Sequence, residues 1–450
     1  MKGTMLFTDK DHAFSSREVF PALPVPGAKT LNPTAEETTG FLGFGVAITP
    51  SSCYELSLMD LPQRQALLQH LYGKDGLGLS VGRLCIGSSD YSPELYSYDD
   101  VPFDTELTHF SIERDEAYVI PMIKEILKIN PDLYLFASPW SPPGWMKTSG
   151  HMCGGYMREQ FVDCYADYIL KFIEAYAAHG IRISAITPQN EPNNQQKYKM
   201  PACVWHPETE AKFIRCLRQK CKQRHIDLKI WMYDQNFMDI PRVLWTLDNC
   251  EGVAEDCDGV AFHYYDGTVE GTKEVQQHYP RLELHFTEGG PRLNDHYDTD
   301  WCKWGIIICK ALSTGYRSFT GWNLMLDECG GPNIGPFLRT CGGLVTRDSR
   351  SGELSYSGQY KAFSHIAPYI TPNSKIFPIR QAAYDGWQVS KFPKYTYAVE
   401  GILIDNGDGK KVAILINPNS SGLQTQLQLD GTSWYLELLA DSISTLILEG

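Results

Sequence analysis

Eight short apolar segments alternate with longer amphipathic segments between about residues 41 and 370, and this alternation constrains the fold most strongly. In the longer segments apolar residues recur every three or four positions, which indicates helices; examples are residues 161–176, followed by Gly180, and residues 207–225. Eight strand-helix units in succession predict an α/β fold, a closed (β/α)8 TIM barrel. The predicted strands are residues 41–48, 79–86, 133–137, 183–187, 228–233, 259–264, 282–287 and 318–322.

Beyond Pro372 the pattern changes to short segments of alternating apolar and polar residues, which predicts antiparallel strands. The first 38 residues are too short to fold alone, so we expect them to add strands to the same sheet. The sequence thus predicts N-terminal strands in 1–38, a barrel in 39–371 and an all-β side domain, a β-sandwich, completed by 372–450. The C-terminal strands are predicted at 396–404, 412–416, 423–429 and 434–439, with turns at Asn406-Gly407, Asp408-Gly409 and Asp430-Gly431.

Charge and hydropathy exclude several kinds of partner. The 450 residues include 40 Lys and Arg against 54 Asp and Glu, a formal net charge of −14 that repels phosphate backbones and argues against nucleic acid. No apolar run is long enough for a transmembrane segment. The longest early apolar stretch, Met5-Leu6-Phe7, is too short for a secretory signal, so we expect a cytoplasmic protein. The oligomeric state stays open.

The 13 cysteines contain no Cys-x-x-Cys pair and do not have the spacing of a disulfide framework. We expect most of them to be buried, reduced thiols. The pairs Cys216/Cys221 and Cys302/Cys309 lack a matched pair of histidines, which argues against a zinc site. The sequence therefore predicts no metal site.

Two glutamates occupy the positions where a barrel carries its reactive groups, the ends of the strands. Glu191 follows the fourth predicted strand, and Pro192 predicts an extended backbone at Glu191. Glu288 follows the seventh predicted strand, just before two glycines. A single such glutamate is usually a surface residue, but two that face each other across a barrel suit glycoside hydrolysis. In the retaining form their carboxyl groups lie roughly 5 to 5.5 Å apart, and one attacks the anomeric carbon while the other protonates the leaving oxygen.

Further motifs occur in a fixed order along nearly the whole chain. They are Gly43-Phe44-Gly45, Arg83, Asp90-Tyr91-Ser92, the segment 137–150, Asn190-Glu191-Pro192, the strand end at Glu288, Gly321-Trp322-Asn323-Leu324 and Gly330-Gly331-Pro332-Asn333. Together they resemble glycoside hydrolase family 30, and within it the glucosylceramidase branch. The resemblance implies a retaining β-glycosidase that acts by double displacement through a glycosyl-enzyme intermediate, with no cofactor.

The resemblance also implies roles for residues of the reacting centre. Glu191 is similar to the general acid/base of the family and Glu288 to its nucleophile. Asn190 resembles the residue that donates to the sugar 2-hydroxyl. Arg83 resembles the arginine that pairs with the nucleophile, the alternative being a structural ion pair in the barrel floor.

The remaining residues carried over by the resemblance surround the sugar. Asp90, Trp140 and Trp322 resemble the hydroxyl acceptor and the walls of the terminal-sugar subsite, although both tryptophans could instead be core residues. Tyr265 resembles a tyrosine that contacts the nucleophile, and we expect His263 to orient its neighbours rather than bind a metal.

The substrate is less constrained than the reaction, because segments 46–50, 289–292 and 325–329 depart from the family pattern. The expected partner is a small-molecule or oligosaccharide β-glycoside. The leading hypothesis is an exo-acting β-glucosidase or glucosylceramidase-like enzyme. The alternatives are a β-fucosidase, β-xylosidase, β-1,6-glucanase or glucuronoxylanase, and a non-catalytic carbohydrate-binding barrel, which would have no reason to keep both glutamates. We expect loops 289–296 and 325–337 to face the leaving group.

Overall fold

The computed structural model describes residues 2–25, 29–196, 199–381 and 398–449. The strands are β1 Gly3–Thr8, β2 Ser15–Val19, β3 Lys29–Pro33, β4 Gly43–Ala47, β5 Val81–Ile86, β6 Tyr134–Pro139, β7 Ala185–Ile186, β8 Lys229–Asn236, β9 Gly259–His263, β10 Glu283–Glu288, β11 Ser318–Gly321, β12 Met325–Asp327, β13 Val345–Arg347, β14 Leu354–Tyr356, β15 Lys375–Gln381, β16 Glu400–Asp405, β17 Lys410–Asn417, β18 Leu423–Leu429, β19 Thr432–Leu438 and β20 Ser442–Glu449. The α-helices are α1 Pro50–Ser57, α2 Leu61–Tyr72, α3 Val119–Ile129, α4 Val162–Ala178, α5 Pro207–Arg224, α6 Ile240–Asn249, α7 Val253–Asp256, α8 Lys273–His278, α9 Trp301–Thr314 and α10 Gly358–Ile366.

Strands β4 to β11 form a closed parallel barrel in chain order, β11 pairing back with β4. All eight predicted barrel strands are present, and a helix follows each of them, so the (β/α)8 prediction is confirmed. Strands β5 and β9 are buried along their whole length, as expected for parallel strands that side chains cover on both faces. The predicted helices at 161–176 and 207–225 correspond to α4 and α5.

Large side chains fill one end of the barrel interior. Val81, Phe136 and Trp231 pack together there, and the His285 ring stacks on Trp231 with ring centroids 3.5 Å apart. These residues lie toward the start or middle of their strands, so the interior is closed at that end. Polar chemistry is therefore confined to the opposite end, where the strands finish.

Both ends of the chain build a second, nine-stranded sheet in the order β19-β18-β3-β15-β16-β17-β20-β1-β2. An isolated bridge between Pro21 and Trp434 connects the two edges of this sheet, so it curls around its own core. An all-β side domain formed from both termini is thereby confirmed. Asp430 and Gly431 both have positive φ, 49° and 76°, as expected for the predicted two-residue hairpin turn. The start of the predicted strand 396–404 lies outside the described residues, and the boundaries at 38/39 and 371/372 remain predictions.

The side sheet packs on the barrel through α9 and α10. Alternation along β16 explains why both of its faces are apolar, because Ile402 and Ile404 join the barrel core while Leu403 joins the core of the side sheet. His365 of α10 adds polar contacts, with ring nitrogens 2.8 Å from the Thr8 hydroxyl and 2.9 Å from the Thr445 hydroxyl. The two units therefore share a continuous buried interface.

Strands β12, β13 and β14 form a small sheet within the connection from β11 to α10. The sequence does not predict this sheet, because segments of three residues are too short for a periodic pattern. The Ser52 hydroxyl of α1 donates to the Met325 carbonyl and accepts from the Met325 amide, which fixes β12 beside the mouth of the barrel.

The state of the cysteines and the character of the helices bear on the expectations of reduced thiols and of no transmembrane segment. All 13 cysteines lie in the described part of the chain as free thiols, and eight of them are buried. Among the described helices none combines the length and apolar character needed to cross a bilayer.

Candidate active site

Arg83 lies at the centre of a buried polar cluster where the barrel strands end. Its guanidinium donates to Glu288 through Nη1, and through Nη2 to Asn190 and Asp234, both at 2.8 Å. Arg83 is fully buried. The planar guanidinium therefore fixes the nucleophile candidate and the neighbouring amide relative to each other.

Asp234, near the end of β8, is also part of this cluster, although no pattern in the sequence singled it out. It accepts hydrogen bonds from the hydroxyls of Thr187 at 2.7 Å and Thr287 at 2.6 Å. Burial opposes its charge, but Arg83 and His263 hold the pKa of Asp234 far below its ordinary value. Asp234 is therefore a permanent anion that anchors both cationic groups of the site.

A bulge in β8 orients Asp234 toward the site. The register with β9 shifts between Tyr233 and Gln235, and Tyr233 and Asp234 have positive φ values of 79° and 60°. The predicted strand ends at Tyr233, three residues before β8 ends at Asn236. The strand-end rule that singled out Glu191 and Glu288 is the signal that could have found Asp234.

Glu191 and Glu288 lie close together across the site. A carboxylate oxygen of Glu191 lies within 4.8 Å of a carboxylate oxygen of Glu288. Glu288 is the last residue of β10, whereas β7 ends at Ile186 and a short loop carries Glu191. The expectation of an extended backbone at Glu191 is wrong: its φ is +50°, and its amide donates to the Asp234 carbonyl at 3.0 Å, so tertiary contacts override the effect of the following proline.

His263 lies between these carboxylates. Its Nδ1 is 3.4 Å from Glu191 Oε1, and its Nε2 is 3.1 Å from Asp234 Oδ1 and 3.9 Å from Glu288 Oε2. Burial alone would lower the pKa of His263, but the three carboxylates raise it to about 9. The imidazole is therefore protonated at neutral pH.

In the described part of the chain, the group Glu191, His263 and Glu288 has the spacing of possible metal ligands. Both ring nitrogens of His263 face carboxylates, at 3.4 Å from Glu191 and 3.1 Å from Asp234, and a metal ion could bind the ring only by displacing one of these contacts. The site therefore fits proton exchange better than metal coordination.

The protonation of the two glutamates is coupled to His263. Burial raises the pKa of Glu191, yet the hydrogen bond and charge of His263 hold it below its ordinary value. Burial raises the pKa of Glu288, and the charges of His263 and Arg83 oppose that rise. Tyr265 also donates to Glu288 Oε1 at 2.9 Å. These groups titrate as one unit rather than as separate residues.

A cavity of about 230 Å³ opens above the cluster. Trp140 and Trp322 stack at one wall with ring centroids 5.1 Å apart, and the Arg83 guanidinium lies 4.8 Å from the Trp140 ring centroid. Both tryptophans line the cavity although they are almost fully buried, so they are neither purely core residues nor exposed platforms.

Asp90 also lines this cavity and has an unsatisfied oxygen. Its Oδ1 is buried and has no hydrogen-bond partner among the described residues. Burial, followed by the charges of Glu288 and Glu191, raises the pKa of Asp90 well above its ordinary value. A ligand hydroxyl can satisfy this group, because buried polar atoms without partners are costly.

The structure thus brings all nine sequence-predicted site residues to one end of the barrel. Loops 289–296 and 325–341 also reach the cavity, through Arg292, Phe337 and Cys341. Asn194, which donates to Glu191 Oε2 at 2.6 Å, was not predicted, and neither were Gln235 and Asn236, which line the opening. Asn194 lies in a loop, and Gln235 and Asn236 are the last two residues of β8, beyond the predicted end of that strand, so no sequence period marks them.

Comparisons with known proteins agree with this geometry. The family model described as "Glycosyl hydrolase family 30 TIM-barrel domain" matches residues 41–338. The chain is similar to a putative glucosylceramidase 3 of Caenorhabditis elegans, 30% identical over 92% of this chain and 80% of that protein. It is also 26% identical to an endo-1,6-beta-D-glucanase of Trichoderma harzianum, over 94% of this chain and 88% of that one.

Among solved structures, SrfJ from Salmonella typhimurium superposes over the whole of both chains with a TM-score of 0.88 at 24% identity, which shows a shared fold. Fold, paired carboxylates and relatives together define the chain as a glycoside hydrolase. The chain belongs to glycosyl hydrolase family 30, whose members are retaining β-glycosidases.

Proposed function

We propose that the enzyme removes a terminal β-linked glucosyl unit, with Glu288 as nucleophile and Glu191 as acid/base. The observation that carries the proposal is the approach of their carboxylate oxygens to within 4.8 Å. This separation suits direct attack on the anomeric carbon, whereas inverting enzymes keep roughly 6.5 to 9.5 Å to admit a water molecule.

In the first step a Glu288 oxygen forms a bond to the anomeric carbon while the glycosidic bond breaks, and Glu191 delivers a proton to the leaving oxygen. Arg83 and Tyr265 orient the Glu288 carboxylate for this attack. Asn190 accepts from Arg83 through Oδ1, which leaves its amide nitrogen able to donate to the 2-hydroxyl. Such a contact accelerates the reaction when it strengthens in the transition state.

His263 supplies the proton that Glu191 donates. The charge of Glu288 is one of the causes that raise the pKa of His263, beside the hydrogen bonds to Asp234 and Glu191. As Glu288 becomes an ester this charge disappears, so His263 holds its proton less tightly and passes it across the 3.4 Å contact to Glu191. In the second step Glu191 takes a proton from water, the water oxygen displaces Glu288, and the proton returns to the His263–Glu191 pair.

Glucose is favoured as the sugar because both kinds of relative carry it in their names, as a glucosylceramidase and as a beta-D-glucanase. The cavity of about 230 Å³ is smaller than the roughly 300 to 1,000 Å³ typical of pockets for drug-sized ligands, which supports one sugar unit and exo action. A cytoplasmic location is part of the proposal and is supported by the unpaired state of all 13 cysteines.

The test is a panel of p-nitrophenyl glycosides combined with proton NMR of the first product formed. We expect hydrolysis of the β-glucoside to exceed that of the β-galactoside, β-fucoside and β-xyloside, with β-glucose appearing before mutarotation. An α-anomer as first product would reject the retaining mechanism, and preference for another sugar would reject the glucosyl assignment.

A further inference from the structure

A second cavity lies on the same face of the barrel as the catalytic site. Its volume is about 390 Å³, and it lies between the loop that follows β5 and the loop that follows β6. Loops after barrel strands all emerge at the catalytic end. Trp140 lines the catalytic cavity and Trp145 lines the second one, so segment 140–147 separates the two.

Lys147 makes this separating segment rigid. Its side chain is fully buried, and its ammonium donates to the Ser141 hydroxyl, to the Ala202 carbonyl at 2.7 Å and to the Met152 carbonyl. All three protons of the ammonium are thereby used. Lys147 therefore shapes the cavity and has no proton left for a ligand.

An aromatic side chain forms the rim of the cavity. Phe103 is 63% exposed, and its backbone φ is +62°, a conformation that favours glycine or asparagine. The ring is held at one side by Trp145 and Phe161, with ring centroids 6.5 and 6.4 Å away. A small polar residue would adopt this backbone conformation with less strain, yet the turn carries an exposed aromatic ring. This combination indicates that the ring has a binding partner.

Polar groups that lack partners point to the nature of that ligand. Arg158 lines the cavity, and its guanidinium makes no hydrogen bond or ion pair within the described residues. The Cys153 amide donates to His151 Nδ1 at 3.0 Å, so the other ring nitrogen, Nε2, carries a proton and is free to donate. Asp100 lines the same cavity, and its carboxylate, which already accepts from the Ser97 hydroxyl at 2.6 Å, has lone pairs left to accept from a ligand.

We propose that this cavity is a second binding site for a neutral β-linked glucose chain, separate from the catalytic pocket. A pyranose ring presents an apolar face to an aromatic side chain and hydroxyls that both donate and accept, which matches Phe103, Arg158 and Asp100. An anion is less suitable, because Asp100 lines the same cavity and the chain carries a net charge of −14. The inference rests on the proposed function and extends it, since a glucose chain held at this site would present its terminal unit to the catalytic pocket.

Calorimetric titration with a β-1,6-linked glucose hexamer tests the site without turnover. The Glu288→Gln variant is used so that the chain is not cut, and Trp322→Ala is added to impair the catalytic pocket. We expect hexamer binding to persist in this double variant and to weaken about tenfold on Phe103→Ala or Arg158→Ala. Val101→Ala in the same exposed turn and Arg182→Ala at the opposite end of the barrel are the matched controls and should leave binding unchanged.

Two results would overturn the proposal. One is hexamer binding that is absent from the double variant or unaffected by both cavity substitutions. The other is binding of inorganic phosphate that depends on Arg158 but not on Phe103, which would make the cavity an anion site. Kinetics distinguish failure of the second-site proposal from failure of the proposed function. If the second site exists, Phe103→Ala should raise KM for the hexamer and leave kcat/KM for an aryl β-glucoside unchanged.

Discussion

Asp234 accepts a 2.8 Å hydrogen bond from Nη2 of Arg83, and neither side chain is exposed to solvent. Through this ion pair β8 controls the guanidinium that also contacts Glu288. Removing only one partner of such a buried pair strongly lowers the free energy of unfolding, because the other charge stays buried without compensation.

Asp234→Asn tests this dependence. We expect kcat for an aryl β-glucoside to fall about 100-fold or more, and the free energy of unfolding to fall by about 3 kcal/mol. Steady-state kinetics and calorimetry measure the two effects. Asp227→Asn, which removes the exposed partner of Arg182, is the control and should change neither. Unchanged activity of Asp234→Asn would show that Arg83 is positioned without it.

Replacing Glu191 by alanine should give an enzyme that azide rescues. An activated aryl β-glucoside needs little protonation of its leaving group, so the glycosyl-enzyme still forms and azide attacks it in place of water. We expect a β-glucosyl azide, identified by NMR. An α-azide, or the absence of any rescue, would contradict the acid/base role.

Asp90→Ala should reduce discrimination between sugars. The buried, unpartnered Oδ1 of Asp90 is satisfied only by a sugar hydroxyl in the correct orientation. A sugar without that hydroxyl leaves Oδ1 unsatisfied, which raises the transition-state free energy by roughly 1 to 3 kcal/mol and gives about ten- to hundredfold specificity. We expect the ratio of kcat/KM for aryl β-glucoside over β-galactoside to fall, with little change among aglycones. If the ratio among sugars stays the same, Asp90 has a structural role.

His365 makes the interface between barrel and side sheet sensitive to acid. Burial lowers the pKa of His365 to about 3, whereas in the unfolded chain it is about 6.5. Below pH 6.5 the unfolded state therefore binds the extra proton, and stability falls as the pH falls toward 3. Between pH 7 and pH 5 the resulting decrease in the free energy of unfolding is at most about 2 kcal/mol.

Thermal unfolding of the wild type and of His365→Asn at both pH values measures this contribution. The variant should lose less stability on acidification than the wild type. An equal loss in both proteins would show that other groups account for the acid sensitivity.

The barrel could be predicted because parallel strands buried on both faces give continuous apolar runs, such as residues 259–262, and the polar residues that follow such runs, here His263, mark the site. What could not be predicted depends on local backbone geometry. The bulge at Tyr233 and the left-handed backbone at Glu191 have no pattern in the sequence. The second cavity also depends on contacts between two loops, which bring Phe103 and Arg158 together across more than 50 positions.

Covalent trapping tests the central claim most directly. A 2-deoxy-2-fluoro β-glucoside with an activated leaving group slows both steps but slows hydrolysis of the intermediate more, so the glycosyl-enzyme accumulates. Peptide mass spectrometry of the trapped protein should place the fluoroglucosyl group on Glu288, and Glu288→Gln should not be labelled. A label on any other residue, or an active enzyme that hydrolyses the aryl β-glucoside but is never trapped, would contradict the assignment of Glu288 as nucleophile.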